Sequence, residues 1–200
     1  TEAHEGLIGV ACARNAKVKR FVYMGVHNAH VAPYIPHFGS KIAIEAAIKT
    51  SGMSYTFLQP NNFMQNDFWF KDVVSKFGIY PQPIGDVGIS RVDVRDIADA
   101  AVNALTKTGF ENKAYVLAGP KPWNGSATAE VFSAAMGKKI TYGGNDLVAW
   151  AKQAGAMMPA WMTFDMAVMY AMFQELGLKA TDAELKACES VVGHPLRKDY

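Results

Sequence analysis

The chain has 200 residues, of which 50% are hydrophobic and 19% charged, with a net charge of +2 and two cysteines, Cys12 and Cys188. No lysine and arginine cluster stands out, so the sequence gives no indication of nucleic-acid binding. The two distant cysteines form neither a disulfide framework nor a metal-ligand pair, which favours a reducing, cytoplasmic setting. The apolar stretch 154–173 is long enough to cross a bilayer, but Asp165 and Pro159 interrupt it. We therefore interpret it as a buried helix and expect no membrane contact.

The first 120 residues alternate between helical and strand-like segments. Helical spacing predicts helices at 2–16 and 38–50, the second ended by Ser51-Gly52. Two further helices are expected at 63–77 and, capped by Asp93, up to residue 107. Short apolar runs predict buried strands at 19–26, 55–58 and 114–118. This alternation predicts an α/β fold with a parallel sheet.

The residues from 121 onward are predicted to be mainly helical. Ser126 is expected to cap a helix that ends at Gly137, and a short strand follows at 139–142. Three more helices are predicted at 146–155, 159–177 and 181–192, the last opening with the capping box Thr181-Asp182-Ala183-Glu184. Six methionines crowd the middle helix and its approach, which favours core packing, with a substrate wall or partner groove as the alternative.

Four short segments carry a family resemblance. They are KVKRFVY at 17–23, PHFGSK at 36–41 with Glu45 one turn later, LQPNNFMQN at 58–66 and VDVRDIA at 92–98. In this order they resemble the NmrA-like group of atypical short-chain dehydrogenases/reductases. The resemblance implies a partial Rossmann-type parallel sheet with a small, mostly helical C-terminal region. Residues 1–120 would then be the C-terminal portion of an NAD(P)-binding domain, and residues 121–200 a substrate cap.

The family's glycine-rich turn has no counterpart near the N-terminus of this sequence. That turn lets the backbone approach a pyrophosphate at a helix N-terminus. We therefore expect that an N-terminal part is missing, about 70–90 residues at roughly 30 per βαβ unit. The resemblance implies NADP or NAD as cofactor, but the residue that chooses between them would lie in that part, and binding by this chain alone is in doubt. A sheet left with an open edge invites pairing, so we expect a homo-oligomer.

Lys41 and His37 are the candidate catalytic residues. The resemblance places Lys41 where the family's lysine binds the nicotinamide ribose and assists proton transfer. His37 lies four residues earlier on the same helix face. Typical short-chain dehydrogenases carry a tyrosine at that position and NmrA-like members often a histidine, which can donate a proton near neutral pH. A solvated lysine and a histidine that fills the helix entry are the structural alternatives. Gly25 falls where the typical catalytic serine would be, which puts ordinary carbonyl reduction in doubt.

The remaining site residues follow the ends of the predicted strands, where ligands bind in open α/β sheets. Two amides could bind a carboxamide and a ring could cover it, although asparagines also cap helices. The expected cofactor contacts are Gly25, Val26, Lys41, Pro60, Asn61, Asn62 and Phe63, and the expected substrate contacts are His27, Met64, Met158 and Trp161. The irregular spacing of the loop histidines, with no carboxylate nearby, argues against a metal site.

Two classes of function follow from this pattern. The first is an NAD(P)H-dependent oxidoreductase that acts on a small organic substrate. The second is a non-catalytic regulator that senses the nucleotide or binds a protein partner, with a truncated remnant unable to bind nucleotide as a further alternative. Retained Lys41 favours the first, and the missing serine and tyrosine hydroxyls favour the second.

Overall fold

The computed structural model describes residues 1–198. Its elements, in chain order, are α1 (Glu2–Asn15), β1 (Arg20–Met24), α2 (Pro36–Thr50), β2 (Ser54–Pro60), a 3-10 helix (Met64–Phe70), α3 (Lys71–Phe77), β3 (Ile79–Tyr80), α4 (Val94–Thr106), β4 (Lys113–Leu117), α5 (Gly125–Met136), β5 (Thr141–Tyr142), α6 (Leu147–Ala154), α7 (Ala160–Glu175) and α8 (Asp182–Val192). Within the described residues, no helix combines the length and apolar content needed to span a bilayer.

The chain forms two compact units, each assembled from separate segments. The first unit contains residues 1–61, 92–120 and 180–197, and the second contains residues 62–91 and 121–179 together with Lys198. This interleaved division differs from the linear division expected at residue 120. Residues 62–91 pack with the later part of the chain, and α8 returns to the earlier part.

A three-stranded parallel sheet forms the centre of the first unit. The strand order is β1-β2-β4, with Met24 opposite Leu58 and Pro60 opposite Leu117. The predicted α/β fold with a parallel sheet is thus confirmed. β2 runs two residues further than expected, because Pro60 lies at the strand end, where its missing N–H costs no internal ladder bond.

The helix α2 covers one face of this sheet together with α1. The buried core there consists of Val10 from α1, Ile44 and Ile48 from α2, and Met53 and Phe57 beside or within β2. The Tyr23 ring packs edge-on against Phe57, with ring centroids 6.3 Å apart. Burying these side chains fixes α2 over the strands, so the start of α2 comes to lie near the carboxyl ends of β1 and β2.

The second unit contains a two-stranded parallel sheet, β3 with β5, and the helices α3, α5, α6 and α7. The helix predicted at 63–77 is in fact a 3-10 helix followed by α3. Asn124 rather than Ser126 caps α5, since its side chain accepts from the N–H of Ala127 at 2.8 Å. Met169 and Met172 of α7 are buried, whereas Met157 before the helix is 87% exposed.

Candidate functional site

The candidate site is built on the first turns of α2. Pro36 opens the helix, where its missing N–H would have no intrahelical partner. His37, Lys41 and Glu45 follow at intervals of four residues, so they share one face of α2. His37 is half-buried, and its ring packs edge-on against Phe38 with centroids 4.8 Å apart. The pairing of His37 with Lys41 on one face is as the sequence predicted.

Lys41 is held in an ion pair with Glu2 of α1. Its ammonium contacts Oε1 of Glu2, and the Ser40 hydroxyl donates to Oε2 at 3.0 Å. The Lys41 Nζ also lies 5.9 Å from the centroid of the Tyr23 ring, and the side chain is only 17% exposed. Burial acts to raise the pKa of Glu2, but the hydrogen bond and charge of Lys41 outweigh it and lower that pKa. The carboxylate therefore stays ionised beside the ammonium.

Gly25 lies directly after β1, and the space beside it is filled. Its N–H donates to the carbonyl of Leu58 at 2.8 Å. A Cβ at this position would lie 2.6 Å from Oε1 of Glu45 and 3.3 Å from Cγ of Gln59. The Gln59 amide donates to that same Glu45 oxygen at 2.9 Å. Any side chain at position 25 would therefore have to displace the carboxylate, while Val26 follows as a half-buried residue.

His27 and Asn61 form a buried polar pair beyond the strand ends. The backbone N–H of His27 donates to the Pro60 carbonyl at 3.0 Å, and that of Asn61 donates to the Leu117 carbonyl at 2.8 Å. The Asn61 side-chain nitrogen lies 3.0 Å from Nδ1 of His27. An amide nitrogen can only donate, so Nδ1 accepts and the ring proton is on Nε2.

The Nε2 of His27 faces Oε1 of Glu184, the third residue of α8, at 3.6 Å. Burial is the main influence on the His27 pKa and lowers it, although the Glu184 carboxylate partly opposes this effect. His27 has no exposed surface. Its geometry therefore favours an indirect role, in which it orients Asn61, over the direct substrate contact predicted from the sequence.

The other predicted contacts belong to the second unit. Asn62 and Phe63 are half-buried, and Met64 is 4% exposed. Met158 is half-buried before α7, and Trp161 is 66% exposed on it. Their roles in binding cofactor or substrate stay predictions.

A buried arginine that the sequence reasoning missed supports the Phe63 backbone. Arg91 is 0% exposed and donates from Nη2 to the Phe63 carbonyl at 2.8 Å. It also forms two hydrogen bonds of 2.9 Å with the carboxylate of Asp67, which in turn accepts from the Tyr80 hydroxyl. The sequence did contain an indication of this buried arginine. Arg91 stands between Ile89 and Val92, in a stretch that is otherwise suited to burial.

Comparison with known proteins identifies relatives of this chain. The sequence model of the NmrA-like family matches residues 2–200. The NAD(P)H azoreductase of Xenophilus azovorans is 36% identical over 167 residues, which are 82% of this chain and 57% of the azoreductase. This chain thus spans little more than half the length of that relative.

Solved structures of other proteins share the fold. An NADPH-dependent quinone oxidoreductase from Escherichia coli, crystallised with NADPH, matches with a TM-score of 0.88 and 23% identity, over 98% of this chain and 68% of the oxidoreductase. The triphenylmethane reductase of Citrobacter sp. matches with a TM-score of 0.82 and 25% identity, over 98% of this chain and 67% of the reductase.

Proposed function

The chain belongs to the NmrA-like family, and from that premise we propose that it serves as an NAD(P)H-dependent oxidoreductase that reduces small organic acceptors. The azoreductase, quinone oxidoreductase and triphenylmethane reductase among its relatives are named for conjugated, mostly aromatic acceptors. We assign that same acceptor class to this protein. The proposal concerns the protein to which these residues belong, because the chain covers only part of the length of each of these relatives.

The observation that carries the proposal is the Lys41 and Glu2 pair at the ends of the central strands. A ribose diol has hydroxyls that both accept and donate hydrogen bonds, so it fits an ammonium next to a carboxylate. The pair reaches the surface mainly through Glu2, which is 46% exposed, whereas Lys41 is 17% exposed. Strand ends of this kind are the usual binding position in open α/β sheets.

The residues then divide the work of the reaction. The nicotinamide supplies the hydride. Lys41 binds the ribose hydroxyls and holds positive charge next to the reacting groups. Asn61, oriented by His27, offers its amide to a carboxamide. His37, one turn before Lys41, donates the proton that the reduced acceptor needs.

Titration calorimetry with NADPH and NADH, followed by turnover with a panel of quinones and azo dyes, tests this proposal. Micromolar affinity, about −8 kcal/mol, together with sustained oxidation of the nucleotide is the expected result. Absence of binding by the protein contradicts it.

A regulatory role is the second candidate, and the Gly25 environment favours it. Gly25 brings no hydroxyl, and the Glu45 carboxylate fills the adjoining space. Tight binding of the nucleotide without turnover of any acceptor would support a nucleotide sensor in place of a reductase.

The proposal also covers the oligomeric state of the protein and its cellular compartment. We include a homo-oligomer in the proposal, since an unpaired strand edge can pair with a second chain, and among the described residues β1 is paired only with β2. Light scattering after gel filtration measures the assembly. The unlinked cysteines, Cys12 and Cys188, support residence in the cytoplasm.

A further inference from the structure

Glu45 is a half-buried carboxylate that neither the fold nor the roles assigned above explain. It lies on the face of α2 that carries His37 and Lys41, one turn beyond Lys41. Taking a carboxylate out of water is costly unless it is hydrogen-bonded or paired with a charge. An apolar residue at position 45 would pack against the sheet without this desolvation cost. The presence of a carboxylate there therefore indicates a specific role.

Glu45 contacts the ends of both β1 and β2. Side chains at alternate positions of a strand share one face, so Gly25 shares a face with Tyr23, and Gln59 shares one with Phe57. Because Phe57 packs against Ile44 and Ile48, this is the face that α2 covers. The Gln59 amide donates to Glu45 Oε1 at 2.9 Å, and the same oxygen would lie 2.6 Å from a Cβ at position 25.

We propose that Glu45 is a positioning residue for Lys41 and His37. Its carboxylate anchors α2 to the carboxyl ends of β1 and β2. It accepts a hydrogen bond from Gln59 and occupies the space that a side chain at Gly25 would fill. We call these three residues the Glu45 anchor. A helix is stiff over two turns, so fixing Glu45 fixes the height and rotation of Lys41 one turn before it. Where typical short-chain dehydrogenases carry a serine, this chain carries a glycine that makes room for the anchor.

The consequence for activity rests on the proposed reductase function. Glu45→Ala removes the anchor, and Gly25→Ser forces the carboxylate away from Gln59. We expect each change to lower kcat with a quinone by roughly 10- to 100-fold, because small misplacements of catalytic groups have effects of that size. The KM for NADPH should change much less. Glu45→Gln keeps an oxygen that can accept from Gln59 and should restore most of the lost rate.

The double variant Gly25→Ser/Glu45→Ala separates a shared anchor from two independent defects. Both single changes break the same contact, so the double variant should be no slower than the slower single variant. Glu130→Gln, an exposed carboxylate on α5, is the matched control and should behave as the unaltered protein. Multiplied losses in the double variant, or normal kcat in Glu45→Ala, would overturn the proposal.

An NMR readout decides the proposal even if the protein turns over no acceptor. The side-chain methylene signals next to the Lys41 ammonium should shift in Glu45→Ala and in Gly25→Ser, and should stay in place in Glu130→Gln. Circular dichroism verifies that each variant is folded. If the Lys41 signals do not move in a folded Glu45→Ala protein, the positioning role is wrong whether or not the reductase function holds. If they move while the unaltered protein neither binds nor oxidises NADPH, the reductase function fails and the positioning role survives.

Discussion

In the proposed function Lys41 acts through a single ammonium group, so its replacement is the sharpest test at the scale of one residue. Lys41→Met keeps the length of the side chain and removes the charge that contacts Glu2. We expect kcat/KM for quinone reduction to fall by roughly 10²- to 10⁴-fold, the range typical of a lost acid or base function. Lys49→Met, at the exposed end of the same helix, is the control and should remain active. Equal activity of the two variants would contradict the role given to Lys41.

The Arg91 and Asp67 pair leads to a prediction about stability in the second unit. Both side chains are almost completely buried, at 0% and 5% exposure. Asp67→Leu leaves the guanidinium buried without its counter-charge, and we expect a loss of about 3–5 kcal/mol in the free energy of unfolding. The double variant Asp67→Leu/Arg91→Met removes the orphaned charge and should recover part of that loss. Urea denaturation measures both, and a single-variant loss below about 1 kcal/mol would show that the pair is not essential.

Site residues could be predicted from the sequence where their interactions are local, and their distant partners could not. Lys41 became a candidate through the family resemblance, and helical spacing then placed His37, four residues earlier, on the same face. The partners that define their surroundings were missed, since Glu2 is 39 residues from Lys41 and Gln59 is 14 residues from Glu45. His27 lies in the predicted loop, but the Glu184 carboxylate that faces its Nε2 comes from α8, far away in the sequence.

At the scale of elements, α4 and the end of α8 hold each other through polar contacts. The Asn103 amide donates to the carbonyls of Val191 and Val192 at 2.9 and 2.8 Å, which satisfies the end of α8. Just beyond α8, Nε2 of His194 lies 3.0 Å from Asp99, and Nδ1 lies 2.8 Å from the Pro195 carbonyl. Both ring nitrogens can donate at once only in the charged imidazolium. The contact is therefore sensitive to pH.

We expect the contribution of His194 to stability to be greatest in mildly acidic solution. The hydrogen bond to Asp99 raises the pKa of His194 above 6.5, and the same bond lowers the pKa of Asp99 below 3.8. The histidine contribution is complete below about pH 6.5 and disappears as the pH rises through the raised pKa of the folded state. The aspartate contribution is complete above about pH 3.8 and disappears as the pH falls through the lowered pKa.

Thermal unfolding of His194→Gln across the pH range measures this effect. Its Tm should lie furthest below that of the unaltered protein between about pH 4 and pH 6.5, and the difference should shrink as the pH rises beyond about 6.5 through the raised pKa of His194. His4→Gln, at an exposed position of α1, is the control. A Tm difference for His194→Gln that does not vary with pH would contradict the charged form of the contact.

Secondary structure was predictable where one local signal dominated. Apolar runs located all three strands of the central sheet, and Asp93 and Thr181 were correctly identified as caps of α4 and α8. The break between the 3-10 helix and α3 was missed. Asp67 in the 3-10 helix contacts Arg91, 24 residues away in the sequence, and no local pattern reveals such a contact. The two-residue strand β3 was also missed, since its pairing with β5 is not visible in so short a pattern.

The organisation of the whole molecule is the level at which the sequence was least informative. The change from alternating elements to helices near residue 120 suggested a boundary there. However, α8 packs on the central sheet although it lies near the end of the chain, and its Cys188 and Val191 are both 0% exposed. The Cys188 thiol lies 3.8 Å from the Ala118 carbonyl just past β4, and burial raises its pKa to about 11. A chain that leaves a unit and returns to it cannot be divided by composition alone.

This organisation predicts the behaviour of the fragment that the linear division suggested. Residues 1–120 alone would expose the surfaces of β4 and α4 that α8 covers, and would leave the Asn103 amide without the Val191 and Val192 carbonyls. We expect the fragment to lack cooperative thermal unfolding and to give a poorly dispersed NMR spectrum, since much of its buried apolar surface is lost. The intact chain, and the chain carrying the exposed-site change Glu130→Gln, should unfold cooperatively under the same conditions. If the fragment instead unfolds as sharply and at the same temperature as the intact chain, α8 is not an integral part of the sheet unit, and the boundary at residue 120 is the physical one.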